Sequence, residues 1–444
     1  MTARGRQRPD PSVQQEPGPG PRPKRLFAAL AVPNFRLYLA GQAISLPGTW
    51  MQIVAQSWLV LQLTRSGALL GLVAAAQFLP VLLLGAYGGL VADRTDKRRL
   101  LMGTQAALGL LALTLGLLTI THLVRLWMVF VLALALGTVN SVDQPARQTF
   151  VPEMVGRDWV QNAVSLNSIL TNGARAVGPA VAGVVIATAG LGACFLANAA
   201  SFGAVLFALA RIRARSLHPA PAAERRPGQL TDGLRYVRGT PELLVPLLMM
   251  ALVGTFAYEF QVALPLLARF SLHGGASTYG FMTAAMGGGA VCGGLVVAGL
   301  NRTGLLPLTV AVAGFAAAIF GAAVVPSLPW ELAALTVTGF FSTGFMASGN
   351  TTLQLTADPQ FRGRVMALWS VTFTGSTPIG GPIVGAIADG LGPRFGLGIG
   401  VLACVAATIL GVVALCRMPP ADRYAGRPRE LDWPTYQQAH DSRA

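Results

Sequence analysis

Asp143 and Arg147 stand four residues apart within an otherwise apolar run. Ionisable groups in such surroundings carry a desolvation cost, so each is paired or functional. One helical turn separates them. They can neutralise each other as an i,i+4 pair, or act as a charge switch that exchanges partners. Arg175 shares a helical face with Ser168 and Asn172, and an acidic side chain or an anionic ligand would satisfy it. Glu259, flanked by Tyr258 and Gln261, is the acidic group deepest in its apolar run. A carboxyl in a low-dielectric cavity can bind a proton from one side and release it to the other. A hydrogen-bonded structural role, or a place at the membrane boundary, is the plainer reading.

Polar side chains also recur one turn apart: Gln52 with Gln56, Asn350 with Gln354, and Asn167 with Thr171. Aimed into a bundle, such groups hydrogen-bond a ligand or lash helices together, and lashing is the commoner use. Together with Asn172, Arg175 and Gln261, the Gln52, Gln56, Asn350 and Gln354 side chains are the candidates for a cavity wall. Two stretches of small residues, Gly178-Pro179 with Gly183 and Gly381-Pro382 with Gly385, suit close packing and bending of helices. Cys194, Cys292, Cys404 and Cys416 lie far apart in apolar stretches and read as buried small hydrophobes, and the four histidines are scattered. No metal site is expected from either set. A phosphate-binding loop ending in Lys-Ser or Lys-Thr is missing, so no nucleotide cofactor is expected.

The elements that must hold these groups follow from composition. The chain has 444 residues, 53% apolar and 11% charged, with a mean hydropathy of +0.56. Soluble domains carry about 25% charge, so a water-soluble enzyme is excluded. The net charge of +15 does not signal nucleic-acid binding, because long apolar runs separate the arginines. A membrane-crossing helix needs about 20 apolar residues. Twelve runs fit: 36–63, 67–92, 100–121, 125–147, 160–189, 191–211, 242–269, 277–300, 305–326, 329–354, 364–389 and 392–416. With both termini in the cytoplasm, 28 of the 33 Lys and Arg fall on the cytoplasmic side, as the positive-inside rule requires. Arg65, Arg125, Arg269 and Arg394 face outward.

The chain then divides into a disordered cytoplasmic tail (1–30), a six-helix bundle (31–211), a cytoplasmic linker (212–240), a second six-helix bundle (241–417) and a cytoplasmic C-terminal tail (418–444). The segment at 162–183 corresponds to 363–385, each with its Gly-Pro pair in the fifth helix of its half. Parallel six-helix repeats about an axis normal to the membrane are one way secondary transporters are built.

Between the second and third runs stands Gly89-Leu90-Val91-Ala92-Asp93-Arg94-Thr95-Asp96-Lys97-Arg98-Arg99. This resembles the loop signature of the major facilitator superfamily, with Asp96 where that family usually has Gly. Gly89 would let two helices approach closely, and Asp93 would cap a helix or pair with a basic group. The segments "GQAISLPGTWMQ" (41–52), "DQPARQTFVPEMV" (143–155) and "NGARAVGPAVAG" (172–183) resemble the enterobactin-exporter and macrolide-efflux branch of that superfamily. The resemblance implies an all-α fold of twelve transmembrane helices, alternating access, and proton-driven export of amphipathic small molecules. It also suggests a gate in the outward-open state, in which Asp93 pairs with Arg147 and Asp143 with Arg94 or Arg98. The expected partners are a small-molecule substrate, protons and the lipid bilayer of the cytoplasmic membrane, with the chain working as a monomer and the proton gradient in place of a cofactor. Uptake of a small polar metabolite is the alternative, because nothing in the residues fixes direction. A non-transporting receptor or scaffold would expose a sizeable soluble domain, and the loops are short.

Overall fold

A computed structural model describes residues 27–218, 229–300 and 303–417, and no strand occurs among them. The tail from Met1 to Leu26 and the segment after Arg417 lie outside these residues. The first bundle begins with a 3-10 turn, Ala28–Ala31, and the helices α1 (Pro33–Thr64), α2 (Gly67–Arg94), α3 (Lys97–Ile120), α4 (Leu126–Val155) and α5 (Val160–Arg211). After a short helix, α6 (Gln229–Arg238), come α7 (Pro241–Phe256), α8 (Phe260–Leu266) with a π turn at Leu267–Ser271, α9 (Ala276–Leu300), α10 (Leu305–Val324), α11 (Leu328–Thr356), α12 (Arg362–Leu391) and α13 (Pro393–Arg417).

Local chemistry sets the ends. Ser66 caps α2 by accepting the Leu69 amide at 3.3 Å, and Asp96 caps α3 by accepting the Arg99 amide at 3.2 Å. The Asp96 backbone has φ −61°, so the turn needs no glycine there. Helix α5 has 52 residues, far more than a bilayer crossing uses, and Gly190 breaks it with φ 82° and ψ 175°. That left-handed φ suits a residue without Cβ.

Nine helices among the described residues are long and apolar enough to cross a membrane, taking α7 with its continuation to Ser271 as one. The 32-residue α1 and 30-residue α12 are long enough but carry the polar groups discussed below. Large apolar side chains such as Leu83, Leu295 and Leu402 face outward, each more than 65% exposed, as a lipid-facing belt requires.

Three expectations are revised. Residues 28–31 are part of the fold, since the Ala29 amide donates to Asn162 Oδ1 at 2.8 Å. Helix α4 runs to Val155, so Asp143 and Arg147 lie inside it rather than at its end. Cys292 and Cys416 are exposed while Cys194 and Cys404 are buried; only the latter two act as core residues.

Within the first bundle α2 packs on α4 and α3 on α5; within the second α9 packs on α11 and α10 on α13. The two bundles meet mainly through α2 against α12 and α5 against α9. Both pairs run antiparallel. Gly67 and Gly71 face Gly385 and Gly381, with Leu82 reaching Gly375; Gly183 faces Ser277 and Gly280, with Ala176 reaching Gly287. These contacts occupy one end of the molecule and its middle. We call it the closed end. The opposite end carries the 94–99 loop and α6, and is the basic end.

Candidate functional site

A cavity of about 200 Å³ lies between the bundles, and all but one of its lining residues belong to the first. Gln261, in α8, is the exception. Helix α1 supplies Gln42, Trp50, Gln52 and Gln56, α2 supplies Gln77 and Phe78, and α3 supplies Gln105. Asn140, Gln144 and Arg147 come from α4, and Asn198 comes from the second arm of α5. The wall contains many carboxamides, a single cation and no carboxylate.

Gln52, Gln56 and Gln261 line this cavity, and each amide of the α1 pair bonds to a different helix. Asn198 Nδ2 donates to Gln52 Oε1 at 2.6 Å, and Gln56 Nε2 donates to Gln77 Oε1 at 3.3 Å. Asn172, Arg175, Asn350 and Gln354 do not line this cavity. Asn172 donates to the Ser168 carbonyl of its own helix at 2.9 Å. Arg175 lies 5.3 Å over the Trp50 ring, a cation–π contact in place of the expected anion. Gln354 donates to Asn350 within α11. One-turn spacing places two amides on one face of a helix, and does not say whether that face meets a cavity.

Asp143 and Arg147 form the local ion pair, with Arg147 Nε 2.7 Å from Asp143 Oδ2. Asp143 Oδ1 also accepts from Thr104 Oγ1 at 2.6 Å and Gln105 Nε2 at 2.8 Å. The cross-pairing of Asp143 with Arg94 or Arg98 is absent. Arg98 instead donates to the Leu209 and Ala210 carbonyls in the last turn of α5 at 2.7 and 2.8 Å, and Arg94 is exposed. Asp93, Arg94, Arg98, Asp143 and Arg147 all belong to the first bundle, so pairing among them braces that bundle and cannot lock it to the second.

The loop is braced further by a contact the sequence reading missed. Lys97 Nζ lies 2.6 Å from Glu153 Oε1, with the two side chains only 10% and 7% exposed. Arg99 is exposed, 3.7 Å from Asp96. Gly89 is buried, and its neighbour Gly88 packs against the Ser141 backbone of α4.

Glu259 sits at a break. Residues 257–259 leave the helical path between α7 and α8, and Glu259 is 3% exposed. Discontinuous membrane helices commonly mark ligand or ion sites, because their ends free backbone groups. Its carboxylate lies against Gly380 and Gly381 of α12, where Gly71 of α2 meets the same segment. Thr377 bonds to the carboxylate, and Oε1 has no partner among the described residues. Glu259 is thus set behind the bundle interface and does not line the central cavity.

Gly178 packs on Pro47 and Trp50 within the first bundle, whereas Gly183, Gly381 and Gly385 pack across the interface. A Cβ on Gly385 would collide with the Gly67 backbone. Pro179 contributes its carbonyl beside Gly280, and Pro382 begins the peptide that lies under Gly71. Asp389 spans the interface: it accepts from Gly67 N at 2.6 Å, Ser66 Oγ at 2.7 Å and Ala68 N at 3.0 Å. Arg269 Nη1 donates to the Leu61 carbonyl at 3.0 Å beside it.

The profile of the family described as "Transmembrane secretion effector" matches residues 25–442. The staphyloferrin A transporter of Staphylococcus aureus is 29% identical over 249 residues, 55% of this chain and 62% of that protein. The chain thus spans under two thirds of that relative's length. The multidrug efflux pump Tap of Mycolicibacterium fortuitum is 29% identical over 358 residues, 78% of this chain and 87% of its own. The enterobactin exporter EntS of Citrobacter koseri is 24% identical, covering 87% and 94%. Among solved structures, a bacterial homologue of the human lysosomal transporter Spinster aligns with a TM-score of 0.68 at 14% identity, over 88% of this chain and 99% of its own. The nucleoside transporter NupG, as a D323A mutant, aligns at 0.69 and 14%, over 89% and 100%. These structures share the fold.

Proposed function

Because this chain belongs to the transmembrane secretion effector family of the major facilitator superfamily, we propose that it exports amphipathic small molecules across the cell membrane by alternating access, driven by protons. The observation that carries the reading is the asymmetry of the bundle contacts. The bundles touch at the closed end and the middle through glycine pairs and Asp389, while a polar cavity lies between them. In this reading α1, α12 and the two arms of α5 cross the membrane with the other helices, giving twelve crossings in two six-helix halves with both termini in the cytoplasm. The basic end then faces the cytoplasm, in keeping with the positive-inside rule. The conformation accepts cargo from inside.

Glu259 is the proton site in this reading. A proton drives the cycle only by binding one conformation better than the other. Its carboxylate rests on Gly380 and Gly381, the segment of α12 that leaves α2 when the closed end opens. Protonation removes a buried charge beneath that contact, so charge state and bundle separation are coupled. Asp143, held by Thr104, Gln105 and Arg147, assists by keeping the cavity cation in place.

The test is proton movement in proteoliposomes of known orientation, with siderophores, macrolides and cationic dyes offered at a fixed pH gradient. Substrate-dependent proton flux is expected, and Glu259→Gln should abolish it. Wild-type transport with unchanged pH dependence in Glu259→Gln would remove the coupling assignment. Substrate flux without proton movement would leave a facilitator.

A further inference from the structure

Resting on the transporter reading above, we infer that the first bundle carries an anchor for a carboxylate-bearing ligand, built from Gln42 of α1 and Arg147 of α4. Gln42 is 3% exposed, lines the cavity, and its Nε2 has no hydrogen-bond partner among the described residues. A buried amide donor left unpaired forfeits its hydration without replacement, so an acceptor brought by the cargo is its natural complement. Other amides on the wall are differently placed: Gln52 and Asn198, and Gln56 and Gln77, are bonded to each other, and Gln105 is committed to Asp143.

Arg147 supplies the second donor. Its Nε lies beside Asp143, and its side chain, 27% exposed, lines the cavity. Asp143 is held through Oδ1 by Thr104 and Gln105, so it stays fixed as the counter-ion and leaves the outer edge of the guanidinium for the ligand. A planar fork of N–H donors suits the two oxygens of a carboxylate. Gln42 and Arg147 line the same cavity, so the free amide donor and the cation face one space. No carboxylate lines the cavity, so its aromatic faces, Trp50, Phe78 and Phe202, offer a lipophilic cation no counter-charge. The ligand class is an organic anion with a carboxylate flanked by further acceptors for the remaining amides.

Calorimetric titration of the purified full chain tests this with three probes: benzene-1,3,5-tricarboxylate, its neutral trimethyl ester, and tetraphenylphosphonium. The tricarboxylate should bind at least about tenfold tighter than either of the others, the worth of one charge-assisted hydrogen bond. Gln42→Leu should weaken it by about tenfold, and Arg147→Lys, which keeps charge and loses the fork, by a similar factor. Gln42→Glu should invert the preference toward the cation. The inference is overturned by tetraphenylphosphonium binding as tightly as the tricarboxylate, by tricarboxylate affinity unchanged in Gln42→Leu, or by no tricarboxylate binding at millimolar concentration. If Gln42-dependent binding is found but everted vesicles accumulate no cargo, the export reading fails and the anchor stands. If everted vesicles accumulate cations with Gln42→Leu unaffected, export stands and the anchor fails.

Discussion

Asp389 Oδ1 accepts the backbone amide of Gly67 at 2.6 Å, joining the last turn of α12 in one bundle to the first turn of α2 in the other. Ser66 and Ala68 donate to its second oxygen, so one carboxylate satisfies the exposed N-terminus of α2 across the interface. A helix N-terminus favours a negative charge. The same contact closes one face of the transporter, and it exists only while the two bundles are together at that end.

Asp389→Asn should weaken closure. The amide keeps one acceptor and loses the charge, an effect of about tenfold on the open-to-closed ratio. Spin labels on Leu63 and Leu391, both exposed at the closed end, would report it as a shift of the distance distribution toward longer values. An unchanged distribution would show that Asp389 does not hold the closed end.

Gly385→Ala should block the closed state more completely. The added Cβ would press into the backbone of Gly67, which cannot yield as a flexible side chain would. Transport should fall to background while the protein remains folded, because the collision lies between bundles and not inside one. Gly398→Ala in α13, where an added Cβ meets nothing within 4 Å, is the matched control and should transport normally.

The Lys97–Glu153 pair should be structural. Removing one partner of a buried pair leaves an uncompensated charge at a cost of about 3–5 kcal/mol. Lys97→Met should therefore lower thermal stability markedly, and adding Glu153→Gln should recover most of the loss. Recovery by the double variant in a melting experiment separates this from a loss of cation contact with substrate or lipid.

Tyr236 should tie the linker helix α6 to the second bundle. Its ring stacks on Phe361 with centroids 4.3 Å apart, and Oη donates to Asp358 Oδ2 at 3.1 Å. Burial, more than the Asp358 charge, raises its phenol above the ordinary value of 10.0. A raised value means that docking is fully present below pH 10 and is lost only as the phenol ionises above it. Tyr236→Ala should speed proteolysis near 219–228, and Tyr236→Phe, which keeps the stack, should do so much less.

The sequence by itself determined the membrane class, the run of apolar helices and the basic loop, because bilayer length and helical period are local constraints that a chain writes residue by residue. It also pointed to Glu259 as a buried carboxyl and to Gln52, Gln56 and Gln261 as wall residues, since a polar group inside an apolar run stands out wherever it falls. Only the tertiary structure decided which polar faces meet. Gln42, Gln77, Gln105 and Asn198 are single amides on four segments, brought together by packing that leaves no periodic signal, although each was visible as an amide in an apolar run. Asn350 and Gln354 carried the spacing signal and turned out to bond to each other. Asp389 and Gly67 lie 322 residues apart. A carboxylate at one helix end and an uncapped amide at another become a latch only when two bundles fold and close.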